Sequence, residues 1–379
     1  MTRSGPLAGV RVVELAGLGP APHACTLLAD MGADVIRIAR PQAVHSARAG
    51  DPLTRGRPSV ALDLKRPAAV ETVMRLVERA DIFVEGNRPG VTERLGTGPA
   101  QCLARNPRLV YGRMTGWGQE GPLSSAAGHD LTYVATTGVL FGLGQSPDTP
   151  HFPTTLLGDF GGGSTYLVIG VLAALVHAKT TGHGQVVDAA IVDGTSHLTI
   201  LLAGMRAKGR LTQERGTNLL DGGAPYYALY ATSDERHVAV GALEPQFFDL
   251  LISTLGVKDS CPPQHEVAQW PRMRRLFAET FKTRTMAEWA DIFEGTDACL
   301  APVLTPAEAE EHAHIRARGI WIDIDGVSQP APAPRFSRTP GAISAPPAAS
   351  NGADTAAALQ AWGIDDIDAL LTSGAAVQD

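Results

Sequence analysis

The chain has 379 residues, 44% hydrophobic and 19% charged, a composition typical of a globular protein and too apolar for a disordered one. Its formal net charge of −7 argues against nucleic acid as a partner. The charge is uneven, because residues 1–120 hold 16 Lys and Arg against 11 Asp and Glu, whereas the remainder holds 16 against 28. A basic first third favours a small polyanionic ligand there, with chance scatter of charge as the alternative.

Short β-like runs alternate with helical patterns along the first 120 residues. Strands are predicted over 10–15, 33–38, 59–62, 81–85 and 109–113, and helices over 20–31 and 68–80. Such alternation predicts an α/β fold with a parallel sheet covered by helices on both faces. Ligands of these sheets bind in the loops at the carboxyl ends of the strands.

Basic side chains recur near three of these strand ends. They are Arg37, Arg40, Arg55, Arg57, Lys65, Arg66, Arg88 and Arg94. Together they favour a ligand with several phosphates, although most single surface arginines have no such role. Gly17-Leu18-Gly19 follows the first strand, but Pro22 stands where a dinucleotide site has its third glycine, so NAD binding is not favoured.

Two glycine-marked motifs carry the most informative residues, Gly128-His129-Asp130-Leu131-Thr132-Tyr133 and Gly158-Asp159-Phe160-Gly161-Gly162-Gly163-Ser164. Each opens an apolar helical run, which places an ionisable side chain at the positive end of a helix dipole. An imidazole and a carboxyl that face one another across a bound molecule suit proton transfer between the two faces of a carbon. A structural histidine and a helix N-cap aspartate are the alternatives.

The remaining chain predicts a second, smaller domain. A strand is predicted over 185–190 and a helix over 193–208, followed by a β-hairpin over 226–232 and 237–242. Helices over 246–256, 271–283 and 285–294 precede a short strand over 299–303, a proline-rich linker, a surface strap over 341–355, a helix over 356–362 and a frayed tail. We expect a large domain over 1–210, completed by 331–379, and a small α+β domain over 221–330.

The cysteines and apolar runs indicate a cytoplasmic protein. Cys25, Cys102, Cys261 and Cys299 show no metal-binding or redox spacing, so we expect reduced thiols and no metal. No signal peptide pattern is visible. The apolar run over 167–176 is about half of the roughly 20 residues that a membrane span needs, so we predict a buried helix and no membrane partner.

With these motifs the chain resembles the α-methylacyl-CoA racemases, a branch of the family III CoA-transferase fold. The resemblance covers nearly the whole chain. Matching segments besides the two motifs are 12–15, 32–37, 88–91, 114–118 and 221–227. Asp159 falls where the transferases keep their catalytic carboxylate, and His129 favours the racemases, since transferases generally carry another residue there.

The resemblance implies a two-domain subunit in an interlocked homodimer, with the active site between the large domain of one subunit and the small domain of its partner. His129 and Asp159 are the implied proton-transfer groups, and Glu244 matches a carboxylate that reaches across the dimer to the histidine. The implied CoA contacts are Arg40, Leu62, Asp63, Leu64, Lys65, Gly86, Asn87, Arg88, Arg94, Gly128, Leu131, Thr132 and Tyr133. Asn87 stands where the family usually has an aromatic residue, and Thr155 stands where it often has an asparagine. These two departures bear on the affinity or specificity for the acyl-CoA.

The expected activity is a racemase or epimerase that inverts the α-carbon of 2-methylacyl-CoA thioesters. Proton transfer by two bases through an enolate needs no cofactor, since CoA is part of the substrate. The backbone N–H of Asp130 is the candidate donor to the enolate oxygen. The alternatives are a CoA-transferase with Asp159 as nucleophile and a non-catalytic acyl-CoA binding protein.

Overall fold

The computed structural model describes residues 4–41, 50–145 and 148–379. The chain divides into two compact units. The first comprises Met1–Thr137, Pro153–Leu198 and Gly319–Asp379, and the second Gly138–Phe152 and Thr199–Arg318. These boundaries differ from the expected domains, because 138–152 and 199–210 belong to the second unit and the chain rejoins the first at Gly319.

A mostly parallel sheet organises the first unit, in the order β12-β3-β2-β1-β4-β5-β6. Its strands are β1 (Arg11–Leu15), β2 (Asp34–Ala39), β3 (Ser59–Leu62), β4 (Ile82–Glu85), β5 (Val110–Thr115), β6 (Val186–Ala190) and β12 (Ala376–Val377). The pairs among β1 to β6 are parallel, whereas β12 pairs antiparallel with β3. The predicted sheet and its first six strands are confirmed.

Helices cover both faces of this sheet, as the sequence predicts. They are α1 (Pro20–Asp30), α2 (Pro67–Val77), α3 (Val91–Leu95), α4 (Pro99–Arg105), α5 (Asp130–Thr136), α7 (Thr165–Thr181), α8 (Ile191–His197), α15 (Thr355–Ala361) and α16 (Ile367–Thr372). Successive strand residues point to opposite faces, so Val13 packs in the core with α2 and α15, whereas Val12 packs in the core with α1 and α7.

The end of the chain differs from the predicted frayed tail. Trp362, Ile364 and Leu370 are buried in the core beside β3, and β12 extends the sheet past β3. A strand of two residues carries no periodic pattern, so the sequence did not reveal it. The predicted strap over 341–355 has no regular secondary structure before Thr355, where α15 begins. It is anchored by bonds such as that from Gly56 N to Ala345 O, 2.9 Å.

Three of the arginines expected to face phosphates instead form buried ion pairs. Arg57 donates to Glu14 at 2.6 Å, and both side chains are fully buried. Arg37 Nε lies 3.7 Å from the same carboxylate, and its Nη1 donates to Asn351 at 2.9 Å. Arg55 donates to Asp30 through two nitrogens and to Gln329 at 2.8 Å. The phosphate interpretation is therefore wrong for Arg37, Arg55 and Arg57, whose charges hold α1 and the returning chain in place.

The apolar helix after Asp159 is longer than the ten residues counted in the sequence. Leu156–Thr181 forms one helical stretch of 26 residues that is long and apolar enough to cross a membrane by length and composition alone. In this structure α7 contacts β5 and β6, and it buries Leu167 and Val171 in the sheet core. The predicted helix over 193–208 is two helices, α8 and α9 (Ile200–Ala207).

The second unit contains the predicted α+β elements. Strands β7 (Tyr227–Ala231), β8 (His237–Gly241) and β9 (Leu300–Pro302) form an antiparallel sheet. Its helices are α6 (Val139–Gly142), α9, α10 (Pro245–Thr254), α11 (Trp270–Phe281), α12 (Met286–Phe293), α13 (Pro306–Glu311) and α14 (Ala313–Ala317). Aromatic residues such as Tyr230, Phe277 and Trp289 fill its core. The hairpin of β10 (Trp321–Ile324) and β11 (Val327–Pro330) belongs to the first unit.

Candidate active site

Asp159 lies in a π-helical turn, Leu156–Ser164, that leads directly into α7. Its hydrogen bonds include that from Phe160 N to Thr155 O at 3.3 Å. The glycines allow close backbone packing, since a Cβ at Gly162 would overlap with Thr195 of α8. Such turns are rare and often occur at functional sites. Asp159 is therefore in the first turn of the helical stretch, where the helix dipole favours negative charge.

His129 is the N-cap residue of α5 and is exposed. Thr132 fixes the backbone there, because its hydroxyl accepts from His129 N at 3.0 Å and donates to His129 O at 2.7 Å. The next residue, Asp130, is the first of the helix, and the first N–H groups of a helix have no acceptor within it. The imidazole and the candidate N–H donor thus come from adjacent residues.

The Asp130 side chain joins the two motifs. It is 6% exposed, and its Oδ1 accepts from the backbone N of Asp159 at 2.7 Å. Gly158 makes this contact possible, because a Cβ there would overlap with Asp130 Oδ1. The structure therefore brings the His129 and Asp159 segments together, although the two motifs are thirty positions apart in sequence.

The environment of Asp159 raises the pKa of its carboxyl to about 6. Partial burial is the main cause, the Asp130 carboxylate adds to the rise, and His129 opposes it. A carboxyl with a pKa near neutrality can accept or donate a proton at physiological pH, as general acid–base catalysis requires.

The first turn of α1 packs against the same carboxyl. A Cβ on Gly19 would lie 3.0 Å from Asp159 Oδ2. One turn later, His23 Nδ1 lies 2.6 Å from Ser164 Oγ, at the end of the π-helical turn. His23 is not among the predicted site residues, since a single histidine in an apolar helix belongs to no motif. The sequence signal that could have found it is its position one helical turn after Gly19, in the loop and helix that follow β1, where such sheets bind ligands.

Tyr133 is surrounded by residues from the end of β5 and from its own motif. Its ring lies edge-on to Trp117, with centroids 4.8 Å apart, and a Cβ at Gly116 or Gly128 would overlap with it. Burial and the charge of Asp159 raise the pKa of Tyr133, while Arg88 lowers it. Tyr133 is therefore near both Asp159 and Arg88, one of the predicted CoA-binding arginines.

Several predicted CoA-binding residues follow strand ends at the carboxyl edge of the parallel sheet. Arg40, Lys65, Gly86 and Arg88 are exposed there, whereas Arg94 is exposed on α3, and Leu131 and Thr132 are exposed on α5. Asn87 N donates to buried Glu85 at 2.6 Å, which fixes the loop after β4. Contact between these residues and CoA stays a prediction.

The segment after β3 is held mainly by internal contacts. The Leu62 side chain is fully buried in the core, so a contact to CoA there would be through the backbone. Asp63 N donates to Ala375 O at 2.9 Å, and Asp63 Oδ1 accepts from Lys65 N at 3.2 Å. Leu64 is partly buried. Lys65 thus offers an exposed amine on a fixed turn.

Glu244 lies in the second unit. It is exposed and is the N-cap residue of α10. Cys299, which precedes β9, has a left-handed backbone with φ 53°, and Glu244 contributes to the raised pKa of its thiol. The reach of Glu244 to His129 stays a prediction. Among residues 4–41, 50–145 and 148–379, no group of three or more His, Cys, Asp or Glu residues could hold a metal ion.

Comparison with known proteins identifies the family. The sequence profile of CoA-transferase family III matches residues 7–355. The chain belongs to CoA-transferase family III. It is 44% identical to alpha-methylacyl-CoA racemase of Mus musculus over 96% of this chain and 95% of that protein, and 44% identical to the Homo sapiens racemase over 88% and 87%.

More distant relatives share the fold. The beta subunit of succinyl-CoA–L-malate CoA-transferase from Chloroflexus aurantiacus is 29% identical over 90% of each chain. A crystal structure of a CAIB/BAIF family protein from Brucella suis matches with a TM-score of 0.80 at 25% identity, covering 95% of this chain and all of that one. The fold of the chain is thus that of the CaiB/BaiF proteins.

Proposed function

We propose that this family member is an α-methylacyl-CoA racemase. The observation that carries the proposal is the meeting of the His129 and Asp159 segments through the 2.7 Å bond from Asp159 N to Asp130 Oδ1. The 44% identity to the mouse and human racemases supports the same activity. On this proposal the protein is an isomerase that acts on acyl-CoA thioesters.

The proposed reaction moves a proton between the two faces of the α-carbon. One group removes the α-proton, the electron pair passes to the thioester carbonyl as an enolate, and the other group protonates the opposite face. His129 and Asp159 share one proton between them, so imidazolium with carboxylate serves one enantiomer and imidazole with carboxyl serves the other. Such a pair titrates as a unit. A pKa of about 6 at Asp159 keeps both forms accessible.

Two further groups complete the proposed mechanism. The backbone N–H of Asp130, at the start of α5, donates to the enolate oxygen. Loss of one such donor in other enzymes costs about 3 kcal/mol. Glu244 orients the imidazole in the dimer and favours its charged form. The reaction as proposed needs no cofactor, and CoA enters only as part of the substrate.

The proposed CoA site is the exposed basic edge of the sheet. Arg40, Lys65 and Arg88 are exposed at the carboxyl ends of β2, β3 and β4, where a parallel sheet binds its ligands, and Arg94 is exposed on α3. Burial and the charge of Asp159 raise the pKa of Tyr133, and Arg88 lowers it. Arg88 is thus near the proposed catalytic centre.

The proposed assembly is an interlocked homodimer in the cytoplasm. Exposed apolar side chains support a protein partner, since Ile169 and Val176 of α7 are 62% and 65% exposed, and Ile200 and Leu201 of α9 are 70% and 63% exposed. Four free cysteines suit a reducing compartment. We propose α7 as a core helix rather than a membrane span, because its buried side faces the central sheet.

Deuterium exchange tests the proposed activity. The enzyme is incubated with one enantiomer of a 2-methylacyl-CoA in deuterated buffer without a second acid, and α-deuterium and chirality are measured together. A racemase incorporates deuterium and inverts the centre, and His129→Ala and Asp159→Ala each abolish inversion. Absence of both processes in the unmodified enzyme would refute the proposal.

A CoA-transferase is the second candidate, and the 29% identity to the Chloroflexus subunit supports it less strongly. In that reaction the Asp159 carboxylate attacks the thioester, expels the CoA thiolate and becomes an acyl anhydride. Hydroxylamine would trap this acyl group at Asp159. Trapping without α-deuterium incorporation would favour transfer over racemisation.

A further inference from the structure

A histidine outside the two motifs contacts the turn that carries Asp159. His23 Nδ1 lies 2.6 Å from Ser164 Oγ, and the Ser164 side chain is fully buried. The Ser164 hydroxyl donates to Phe160 O at 3.0 Å, so it receives its bond from His23. The imidazole therefore carries its proton on Nδ1. The His23 ring also packs on Phe160, with centroids 4.5 Å apart.

The same turn of α1 lies close to the reactive carboxyl. His23 N donates to Gly19 O at 3.2 Å, and a Cβ on Gly19 would lie 3.0 Å from Asp159 Oδ2. The π-helical turn thus lies beside α1 at Asp159 and is hydrogen-bonded to it at Ser164. On its other side, Asp130 holds Asp159 N.

The charge state of His23 suits a fixed role. Burial and the positive charges of Arg57 and Arg55 lower the pKa of His23, which favours the neutral ring. A neutral imidazole with its proton engaged at Ser164 does not compete for the proton that Asp159 and His129 share. The bond it makes is therefore constant while the catalytic pair changes charge.

We propose that His23 is a positioning residue which, through Ser164, holds the Asp159 carboxyl on its face of the substrate α-carbon. This inference rests on the proposed racemase function. Displacement of a reacting group by about 1 Å can cost about 100-fold in rate. Loss of the His23–Ser164 bond then impairs proton transfer by Asp159 and leaves His129, in a different helix, in place.

A positioning role of His23 can be separated from a general effect on stability by comparing α-hydrogen exchange with inversion of the α-carbon. The variants are His23→Leu, which removes the donor, and His23→Asn, whose side-chain amide nitrogen can replace Nδ1. Ser164→Ala removes the other partner. Each is tested in the full-length enzyme with both enantiomers of a 2-methylacyl-CoA in deuterated buffer, and circular dichroism and Tm are recorded for each variant.

In the His23→Leu variant we expect inversion to fall about 10- to 100-fold. The enantiomer whose α-hydrogen faces His129 still exchanges it, because an exposed imidazole re-equilibrates with solvent and returns deuterium to the same face. Its ratio of exchange to inversion therefore rises about tenfold or more. His23→Asn restores the ratio towards that of the unmodified enzyme, and the double variant His23→Leu/Ser164→Ala is no worse than either single one.

Three results would overturn the inference. The first is a proportional fall of exchange and inversion for both enantiomers, the second is equal impairment in His23→Asn and His23→Leu, and the third is a His23→Leu variant as active as the unmodified enzyme. An unmodified enzyme that neither exchanges nor inverts would refute the racemase function itself. An unmodified enzyme that does both, matched by His23→Leu, would refute only the role of His23.

Discussion

The Asp130 carboxylate has two separable effects on Asp159, and the substitution Asp130→Asn divides them. The amide oxygen of asparagine can still accept the bond from Asp159 N, now 2.7 Å, but the negative charge is lost. The structure raises the pKa of Asp159 from 3.8 to about 6, with burial as the larger cause and Asp130 as the second. Removal of the charge should therefore lower the pKa by about one unit.

The assay is the pH profile of kcat/KM for racemisation. The active pair holds one proton, so activity falls when a second proton binds at low pH and when the last is lost at high pH. Without the neighbouring negative charge, the Asp159 carboxylate binds a proton less tightly. The acid limb of the bell should therefore move to lower pH by about one unit.

Two controls make this prediction specific. Asp366→Asn removes a carboxylate that pairs with Arg75 on the surface, and it should leave the profile unchanged. Asp130→Ala removes both charge and hydrogen bond, and it should lower kcat about 100-fold, as displacement of a reacting group does. A profile for Asp130→Asn that coincides with that of Asp366→Asn would refute the electrostatic reasoning.

Three more substitutions test the site and its support. Asp159→Asn should raise Tm by about 1–2 °C above pH 6. The pKa of Asp159 is higher in the folded than in the unfolded protein, so its ionised form destabilises the fold. At pH 4 the substitution should therefore give no gain in Tm. Arg57→Met leaves buried Glu14 with the more distant Arg37, 3.7 Å away, in place of its partner at 2.6 Å. It should cost about 3–5 kcal/mol in urea unfolding, whereas a neutral effect would contradict a structural role for the Arg57–Glu14 pair. Gly158→Ala should abolish racemisation with little change in circular dichroism, since the added Cβ would displace the Asp130 side chain. Retained activity would count against the contact between Gly158 and Asp130.

The sheet was predictable because β1 to β5 are largely buried on both faces and are rich in apolar residues. The two motifs were predictable because glycine and an ionisable residue recur at the start of a helix. Contacts between residues that are distant in sequence could not be predicted. Glu14 is 43 positions from Arg57, and only the fold reveals that this arginine is paired inside rather than exposed.

The π-helical turn and the role of Ser164 also lay beyond the sequence. The glycines of this segment indicate a tight backbone but do not specify which helix packs on each one. His23 became informative only when α1 was placed beside that turn, since its partner is 141 positions away.

The pairing of β12 with β3 has a consequence for biosynthesis. Ala376 pairs with Leu62, so about 300 residues must be translated before the outer strand of the nascent sheet acquires its neighbour. At about 5–20 residues per second, that edge is open for roughly 15–60 s on the ribosome. An uncovered β-edge is a template for aggregation. We therefore expect β3 to need protection from aggregation during synthesis, and a tag that blocks residues 376–377 to prolong that need.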